Sequence, residues 1–185
     1  MKTSRHMTNL QIAKLFRSVA AALGLSDGDN RFKIIAYDRA ADAIEHSSSE
    51  VKDLWDNHEL KTLSGIGESI ANHLDELFRT GRVKHFDQVL RPFPPAIFEL
   101  MEVPGIGPKN ALKLCRAFGI TKAHSAIYKL EKAAFKGHIA QLEGFGEDSQ
   151  ARILQGIKEF QGRTKRLTLD TAHAIVDSLI TYLQK

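Results

Sequence analysis

A five-residue motif, hydrophobic-x-Gly-hydrophobic-Gly, occurs three times in the chain. The copies are residues 63–67 (LSGIG), 103–107 (VPGIG) and 142–146 (LEGFG), and their first glycines lie 40 and then 39 residues apart. Each copy follows a short apolar segment and precedes a stretch with helical apolar spacing. The sequence therefore predicts a repeated unit made of a helix, a tight turn and a second helix.

The chemistry of such a turn is specific. Paired glycines adopt backbone angles that other residues avoid, and they allow another backbone to approach closely. The second helix then begins with free N–H groups and the positive end of its dipole, which suit a phosphate oxygen. Backbone donors grip a sugar-phosphate strand and read no base sequence. We therefore predict DNA-phosphate sites at Gly65 and Gly67 and at Gly105 and Gly107. The alternative is a helical hairpin that serves packing alone.

The second copy has the best charge pattern for a phosphate site. Pro108 suits the first helical position, Lys109 follows it, and Lys113 lies one turn further on. In the first copy Glu68 opposes a phosphate, although Ser69 can donate a hydrogen bond.

Three carboxylates surround the third copy: Glu143, Glu147 and Asp148. Carboxylates at a helix start stabilise the helix and repel DNA. We therefore interpret the third copy as structural.

Apolar spacing is helical nearly everywhere else, and no convincing strand pattern is present. Thr8 is a predicted N-cap, Ser47 with Glu50 reads as a capping box, and Gly81 is a predicted helix end. The proline-rich segment 91–95 disfavours helix and is the predicted hinge between two subdomains. The predicted fold is all-α, with tandem helix-hairpin-helix repeats in two small subdomains plus a C-terminal helix. Five aromatic residues are expected in the core: Phe16, Phe32, Trp55, Phe78 and Phe118.

Composition excludes several classes of protein. No apolar run is long enough to span a membrane, and the single cysteine, Cys115, cannot form an internal disulfide, which favours a cytoplasmic setting. No histidine cluster or Cys–His spacing suggests a zinc site. The net charge is +4, and the basic excess lies after residue 90, which points only weakly to a polyanionic partner. Residues 1–6 are expected to be a vector or leader remnant.

The chain from about Thr8 to Leu183 resembles the N-terminal region of family X DNA polymerases of the DNA polymerase beta type, most closely the bacterial members. The resemblance rests on five segments in matching order and spacing: 9–16 (NLQIAKLF), 30–41 (NRFKIIAYDRAA), 63–67, 77–82 (LFRTGR) and 103–109 (VPGIGPK). It implies a lyase-type helical domain over residues 8–90. A second domain over residues 91–162 would hold a hairpin at 98–118 and a degenerate copy at 138–160. A basic connector and C-terminal helix would occupy residues 163–185.

The resemblance ends about where polymerase catalysis would begin. Nucleotidyl transfer needs clustered carboxylates that hold Mg²⁺ on a rigid sheet. The only Asp-x-Asp here, at residues 27–29, is interpreted as a turn and helix cap. We therefore expect no polymerase activity from this chain alone, and Mg²⁺ only in a further polymerase domain.

The resemblance also bears on 5′-deoxyribose-phosphate lyase activity. Relatives with that activity use a lysine amine to form a Schiff base, and the matching position here is His73, which cannot form it. A supporting lysine is replaced by Ser69, while Lys33 and Tyr37 match residues that contact a 5′-phosphate. Phosphate docking without lyase chemistry is the expectation, with Lys84 as the nearest other amine.

The resemblance further implies that a monovalent cation, Na⁺ or K⁺, binds backbone carbonyl oxygens at the first two turns. The matching positions are Lys61, Leu63, Ile66, Met101, Val103 and Ile106. The alternative is a water-filled turn.

Taken together, the sequence predicts a module that binds gapped or nicked duplex DNA without sequence specificity in base excision repair. It would be the N-terminal part, or a stand-alone relative, of a family X polymerase, and would associate with polymerase or other repair domains. The alternatives are a lyase and a protein-interaction module.

Overall fold

The structure is a computed structural model that describes residues 7–163, and these residues form helices and connecting turns without a β-strand. The predicted all-α fold is confirmed. The chain divides into two units between Phe93 and Pro94, inside the proline-rich segment. Residues 1–6, most of the predicted basic connector and the predicted C-terminal helix lie outside the described residues.

Five α-helices build the first unit. They are α1 (Asn9–Leu25), α2 (Arg31–Glu45), α3 (Val51–Asp56), α4 (Glu68–Thr80) and α5 (Lys84–Leu90), with a 3₁₀ turn at Leu60–Thr62 before α4. Helices α1 and α2 form the main packed pair. Phe16 and Phe86 are fully buried at the centre of the core and meet edge to face, with ring centroids 5.3 Å apart. Their burial fixes α5 against α1.

Two of the three predicted helix ends, the Thr8 N-cap and the Gly81 end, are found in the structure. The Thr8 side chain accepts from the Gln11 amide, the Gln11 side chain accepts from the Thr8 amide, and Gly81 closes α4 with φ +77°. The capping box predicted at Ser47 and Glu50 is wrong. The N-cap of α3 is Glu50, without a side-chain hydrogen bond, and the Val51 amide donates to Asn9 Oδ1 on α1 at 2.9 Å.

The second unit begins with α6 (Ala96–Leu100), α7 (Pro108–Phe118) and α8 (Ala126–Phe135), with a 3₁₀ turn at Ala123–Ser125. A further helix, α9, covers residues 147–163 as far as the structure describes it. The core of the second unit is aliphatic. Its fully buried side chains are Ile97, Leu100, Leu114, Ile120, Leu130, Ile139 and Ile157. They come from all four helices and from the connections between them, so the helices share one core.

The prediction that Phe32 belongs to the core is wrong. Its side chain is 82% exposed. The buried stripe of α2 runs through Tyr37, Ala40, Ala41 and Ile44, and a residue five positions before Tyr37 faces the other side of the helix. Of the other four aromatic residues, Phe16 is buried and Trp55, Phe78 and Phe118 are half-buried.

Candidate nucleic-acid interface

The three glycine turns share one backbone geometry. In each, the amide of the residue between the glycines donates to the carbonyl of the first hydrophobic residue, at 3.1, 3.1 and 2.9 Å for Ile66, Ile106 and Phe145. The first glycine has a positive φ each time, +98° at Gly65, +87° at Gly105 and +80° at Gly144. This is the pattern of a type II turn, whose third position needs glycine. The repeat seen in the sequence is therefore a repeat of conformation. We call the turns hairpin 1 (residues 63–67), hairpin 2 (103–107) and hairpin 3 (142–146).

The second glycine of hairpins 1 and 2 is the N-cap of the following helix. Gly67 has φ −80° and ψ 176°, and Gly107 has φ −83° and ψ 170°. Both are exposed, and the first intrahelical bonds are made only by Ala71 and Ala111. Within the described residues no group accepts from the amides of Gly65, Gly67, Gly105 or Gly107, so these donors are open to an external oxygen.

The hydrophobic residue between the glycines fills the gap between the two helices. Ile66 is 6% exposed and Ile106 is 4% exposed. Phe145 is only half-buried in hairpin 3. In hairpins 1 and 2 the buried side chain therefore anchors the turn, while the glycines on either side of it are exposed.

Hairpin 1 packs against α2. A Cβ at Gly65 would lie 3.3 Å from the carbonyl oxygen of Arg39, so this glycine meets both a steric and a conformational requirement. Glu68, the first residue of α4, forms an ion pair with Lys61. The carboxylate that opposed a phosphate on sequence grounds thus has a basic neighbour that offsets its charge.

Hairpin 2 is held from behind by α9. Gly156 is buried, and a Cβ there would lie 2.3 Å from the Pro104 carbonyl oxygen and 3.0 Å from Val103 Cγ1. The absence of a side chain lets α9 touch the backbone of the turn. On the outer side Pro108 occupies the first helical position and Lys109 is exposed.

Hairpin 3 departs from the other two. Turn residues 136–141 precede it, where the sequence predicts a short helical segment. Its three carboxylates, Glu143, Glu147 and Asp148, are exposed. Lys113 of α7 reaches this hairpin, because a Cβ at Gly144 would lie 3.3 Å from its Nζ. Lys113 is therefore directed at hairpin 3, although the sequence places it one turn along from the hairpin 2 glycines.

A second feature of the first unit is a groove of about 450 Å³ between α2 and α4. Three predicted site residues, Lys33, Tyr37 and Ser69, lie in its lining together with His73 and the exposed ring of Phe32. The structure therefore brings together residues that are 36 positions apart in the sequence. We call this the α2/α4 groove.

Three stacked rings form one wall of the α2/α4 groove. His73 lies parallel to His85 at 5.4 Å between centroids and parallel to Tyr37 at 6.0 Å. Burial, and secondarily the neighbouring His85, lowers the pKa of His73, which favours its neutral form at pH 7. Burial raises the pKa of Tyr37 to about 12. With Tyr37 only 4% exposed, Lys33 and Ser69 are the more accessible polar groups.

The six predicted cation-binding carbonyls fall into two groups. The oxygens of Leu63 and Val103 accept the turn hydrogen bonds. Those of Lys61, Ile66, Met101 and Ile106 accept no hydrogen bond from the described part of the chain. Carbonyl oxygens are hard ligands, so these unpaired oxygens are available to a hard cation. No cluster of His, Cys, Asp or Glu suited to a metal ion occurs within residues 7–163.

Comparison with known families agrees with this geometry. Residues 7–83 match the family described as "Helix-hairpin-helix domain", and residues 97–159 match the "SAM-like Helix-hairpin-helix tandem". The two matches fall one on each side of the division between the units. The chain is thus a protein built from helix-hairpin-helix domains.

Two curated relatives narrow that class. The chain is 27% identical over 179 residues, 97% of its length, to the DNA polymerase/3′-5′ exonuclease PolX of Bacillus subtilis. It is 27% identical over 149 residues, 78% of its length, to DNA polymerase lambda of Arabidopsis thaliana. These matches cover 30% and 26% of the two relatives. The chain is therefore similar, over most of its length, to a part of family X DNA polymerases, which is the resemblance that its motifs predicted.

Two residues that shape these sites, Gly156 and His85, are not among those predicted from the sequence. Gly156 sits inside an otherwise regular helical pattern, and an isolated glycine there often marks a close backbone approach. That signal could have found it. His85 carries no such signal, because its stacking on His73 depends on how α5 packs beside α4.

The described helices include none that could cross a membrane.

Proposed function

We propose that this chain binds duplex DNA, without sequence specificity, through the amides of hairpins 1 and 2. The observation that carries the proposal is the pair of exposed, extended glycines, Gly67 and Gly107, each at the start of a helix whose first amides have no acceptor in the described residues. Each of these helix starts suits a phosphate of a DNA strand. Lys109 adds a mobile positive charge beside hairpin 2.

The preferred DNA in this proposal is gapped or nicked, as expected for base excision repair. The α2/α4 groove supports the preference, because Lys33 and Ser69 offer donors for a terminal 5′-phosphate that only an interrupted strand presents. Lys113 plays a lesser part than Lys109, since it reaches towards hairpin 3. The polymerase names of the two relatives fit a role beside polymerase or other repair domains. The proposal includes a cytoplasmic location, with association to the nucleoid if the protein is bacterial.

A fluorescence anisotropy titration tests the proposal. Four duplexes should be compared at several salt concentrations: intact, nicked, gapped with a 5′-phosphate, and gapped with a 5′-hydroxyl. We expect binding to fall steeply with salt, by about 0.9 logarithmic units of affinity per logarithmic unit of salt for each phosphate engaged. The gapped 5′-phosphate duplex should bind best. A protein-interaction module would bind all four weakly and show no such slope.

The lyase alternative is disfavoured by the contents of the α2/α4 groove. His73 occupies the position of the amine, and Lys33 is the one lysine in the lining. Borohydride trapping on an incised abasic duplex should therefore yield no covalent adduct. An adduct at Lys33 or Lys84 would restore lyase activity as the function.

We further propose that Na⁺ or K⁺ assists binding at hairpins 1 and 2. A cation held by the free carbonyl oxygens there would lie close to the amides that receive the phosphate and would add positive charge. Replacing K⁺ and Na⁺ by tetramethylammonium at constant ionic strength should then weaken duplex binding. Unchanged affinity would favour the water-filled turn.

A further inference from the structure

Helix α8 of the second unit carries two aromatic rings that project into solvent. Tyr128 is 66% exposed and Phe135 is 70% exposed. They are the two large apolar side chains that stand out of the described part of this unit. Neither belongs to a hairpin or to the α2/α4 groove, so the proposed function does not account for them.

The helix geometry places both rings on one face. Seven residues, two turns of helix, separate Tyr128 from Phe135, a rise of about 10.5 Å. Leu130, Ala133 and Ala134 face the opposite way and are buried in the core of the unit. The exposure of the rings is therefore fixed by the packing of the helix, and α8 cannot rotate to hide them without exposing that core.

Lysines flank the two rings along one side of the helix. Lys129, Lys132 and Lys136 are all exposed, and none forms an ion pair within the described residues. The single carboxylate of α8, Glu131, lies between the rings in the sequence and on the same side of the helix, where it is half-buried and accepts a hydrogen bond from Gln161 at 3.2 Å. The outer face of α8 thus combines two rings and three exposed lysines with one carboxylate, whose charge a hydrogen bond partly satisfies.

We propose that the outer face of α8 binds a segment of single-stranded DNA. Aromatic rings beside basic side chains form the usual platform for unpaired strands, since each base stacks on a ring and each phosphate meets a lysine. A duplex keeps its base faces inside the stack, so it gives Tyr128 and Phe135 nothing to stack on. The spacing of the rings matches about three nucleotides at 3.4 Å per step.

Charge complementarity favours a DNA strand over an apolar helix from another protein. An apolar partner would desolvate three unpaired lysines without compensation, which is costly, whereas a strand supplies one phosphate per nucleotide. The inference rests on the proposed function, because a gapped duplex contains an unpaired stretch of the template. It adds to that function a second contact, away from the hairpins.

The test uses the full chain and a fluorescent oligo-dT of about 12 nucleotides, within the usual site size for such platforms. The double variant Tyr128→Ala with Phe135→Ala should bind oligo-dT about ten-fold more weakly or worse. Tyr128→Phe keeps the ring and should stay within about two-fold of wild type. Leu10→Ala, which trims an exposed apolar side chain of the first unit, is the matched control and should change nothing.

Binding to intact duplex separates this inference from the proposed function. The double variant should bind intact duplex as wild type does, because the hairpins are untouched. Unchanged oligo-dT affinity in the double variant, with wild-type duplex binding, would overturn this inference alone. A chain that binds neither DNA would overturn both.

Two further measurements exclude other occupants of the face. If the double variant keeps its oligo-dT affinity but melts at a lower temperature, the rings serve stability within this chain and the inference fails. If it keeps that affinity but loses self-association in sedimentation, the face is a contact between copies and the inference also fails.

Discussion

The Gly107→Ala variant should fold like wild type and bind duplex DNA about ten-fold more weakly or worse. Gly107 lies in an extended conformation that any residue can adopt, and a Cβ there would meet nothing within 4 Å. The added methyl group therefore projects from hairpin 2 into the space that the proposal assigns to the DNA strand.

The magnitude follows from two opposed effects on folding and one effect on binding. Alanine is a poorer N-cap than glycine, but it lowers the entropy of the unfolded chain by about 0.4–1 kcal/mol, so the net change in stability stays within about 1 kcal/mol. A hydrogen bond to a charged phosphate contributes about 1.5–3 kcal/mol, which corresponds to about 10-fold or more in affinity. Losing one phosphate contact also lowers the salt slope by about one.

Gly105→Ala, at the other glycine of hairpin 2, should change the free energy of unfolding as well as DNA affinity. Its φ of +87° lies in the left-handed region, where an L-residue costs about 1–2 kcal/mol. This variant should lose stability as well as affinity. Urea unfolding and anisotropy, measured on the same samples, distinguish the two glycines of one turn.

Gly146→Ala supplies the matched control, because the same methyl group is added at the same place in hairpin 3 and meets nothing within 4 Å. Surrounded by three carboxylates, hairpin 3 should not hold DNA, and the affinity should stay at the wild-type value. Wild-type affinity in Gly107→Ala, or an equal loss in Gly146→Ala, would refute the assignment of phosphate contacts to hairpin 2.

Three other predictions follow from the charges and packing. Lys109→Glu should weaken duplex binding about ten-fold or more at fixed salt, whereas Glu147→Ala should leave it unchanged, and equal effects would overturn the ranking of the hairpins. Gly156→Ala should destabilise the chain by about 1–3 kcal/mol in urea unfolding, because the Pro104 carbonyl leaves no room, whereas Gly162→Ala, on the same helix with open space around it, should not. The lowered pKa of His73 means that the unfolded chain binds more protons below about pH 6.5, so stability should fall as the pH is lowered from about 7.5 to 5.5. His73→Gln should reduce that fall in paired urea titrations at the two pH values, and an identical fall would contradict the assignment.

Fold class and family could be predicted because each rests on local or repeated signals. The five-residue motif contains both the glycine with positive φ and the hydrophobic residue that fills the gap, and a helix follows it directly. The same turn hydrogen bond forms in all three copies. The resemblance to family X polymerases, drawn from the order of such segments, is confirmed by the two relatives.

The misses depend on contacts that a single segment does not encode. Phe32 belongs to an apolar stripe of α2 that differs from the stripe containing Tyr37. Because Tyr37 packs against Phe16 and Phe86, its stripe faces the core and Phe32 is exposed. The start of α3 is capped by Asn9, 42 residues earlier, rather than by its own capping box. The direction of Lys113 likewise depends on where hairpin 3 folds back onto α7. The roles of the individual site residues stay predictions.

The contact between Gly156 and Pro104 makes the backbone of hairpin 2 depend on the helix that follows hairpin 3. The helix that follows the acidic hairpin 3 contacts the backbone of hairpin 2 at a position without a side chain. The size of the side chain at residue 156, 52 positions after Pro104, therefore controls the backbone position of hairpin 2. On the proposed function, substitutions in α9 that move this backbone should change DNA affinity, even where the substituted residue does not contact DNA.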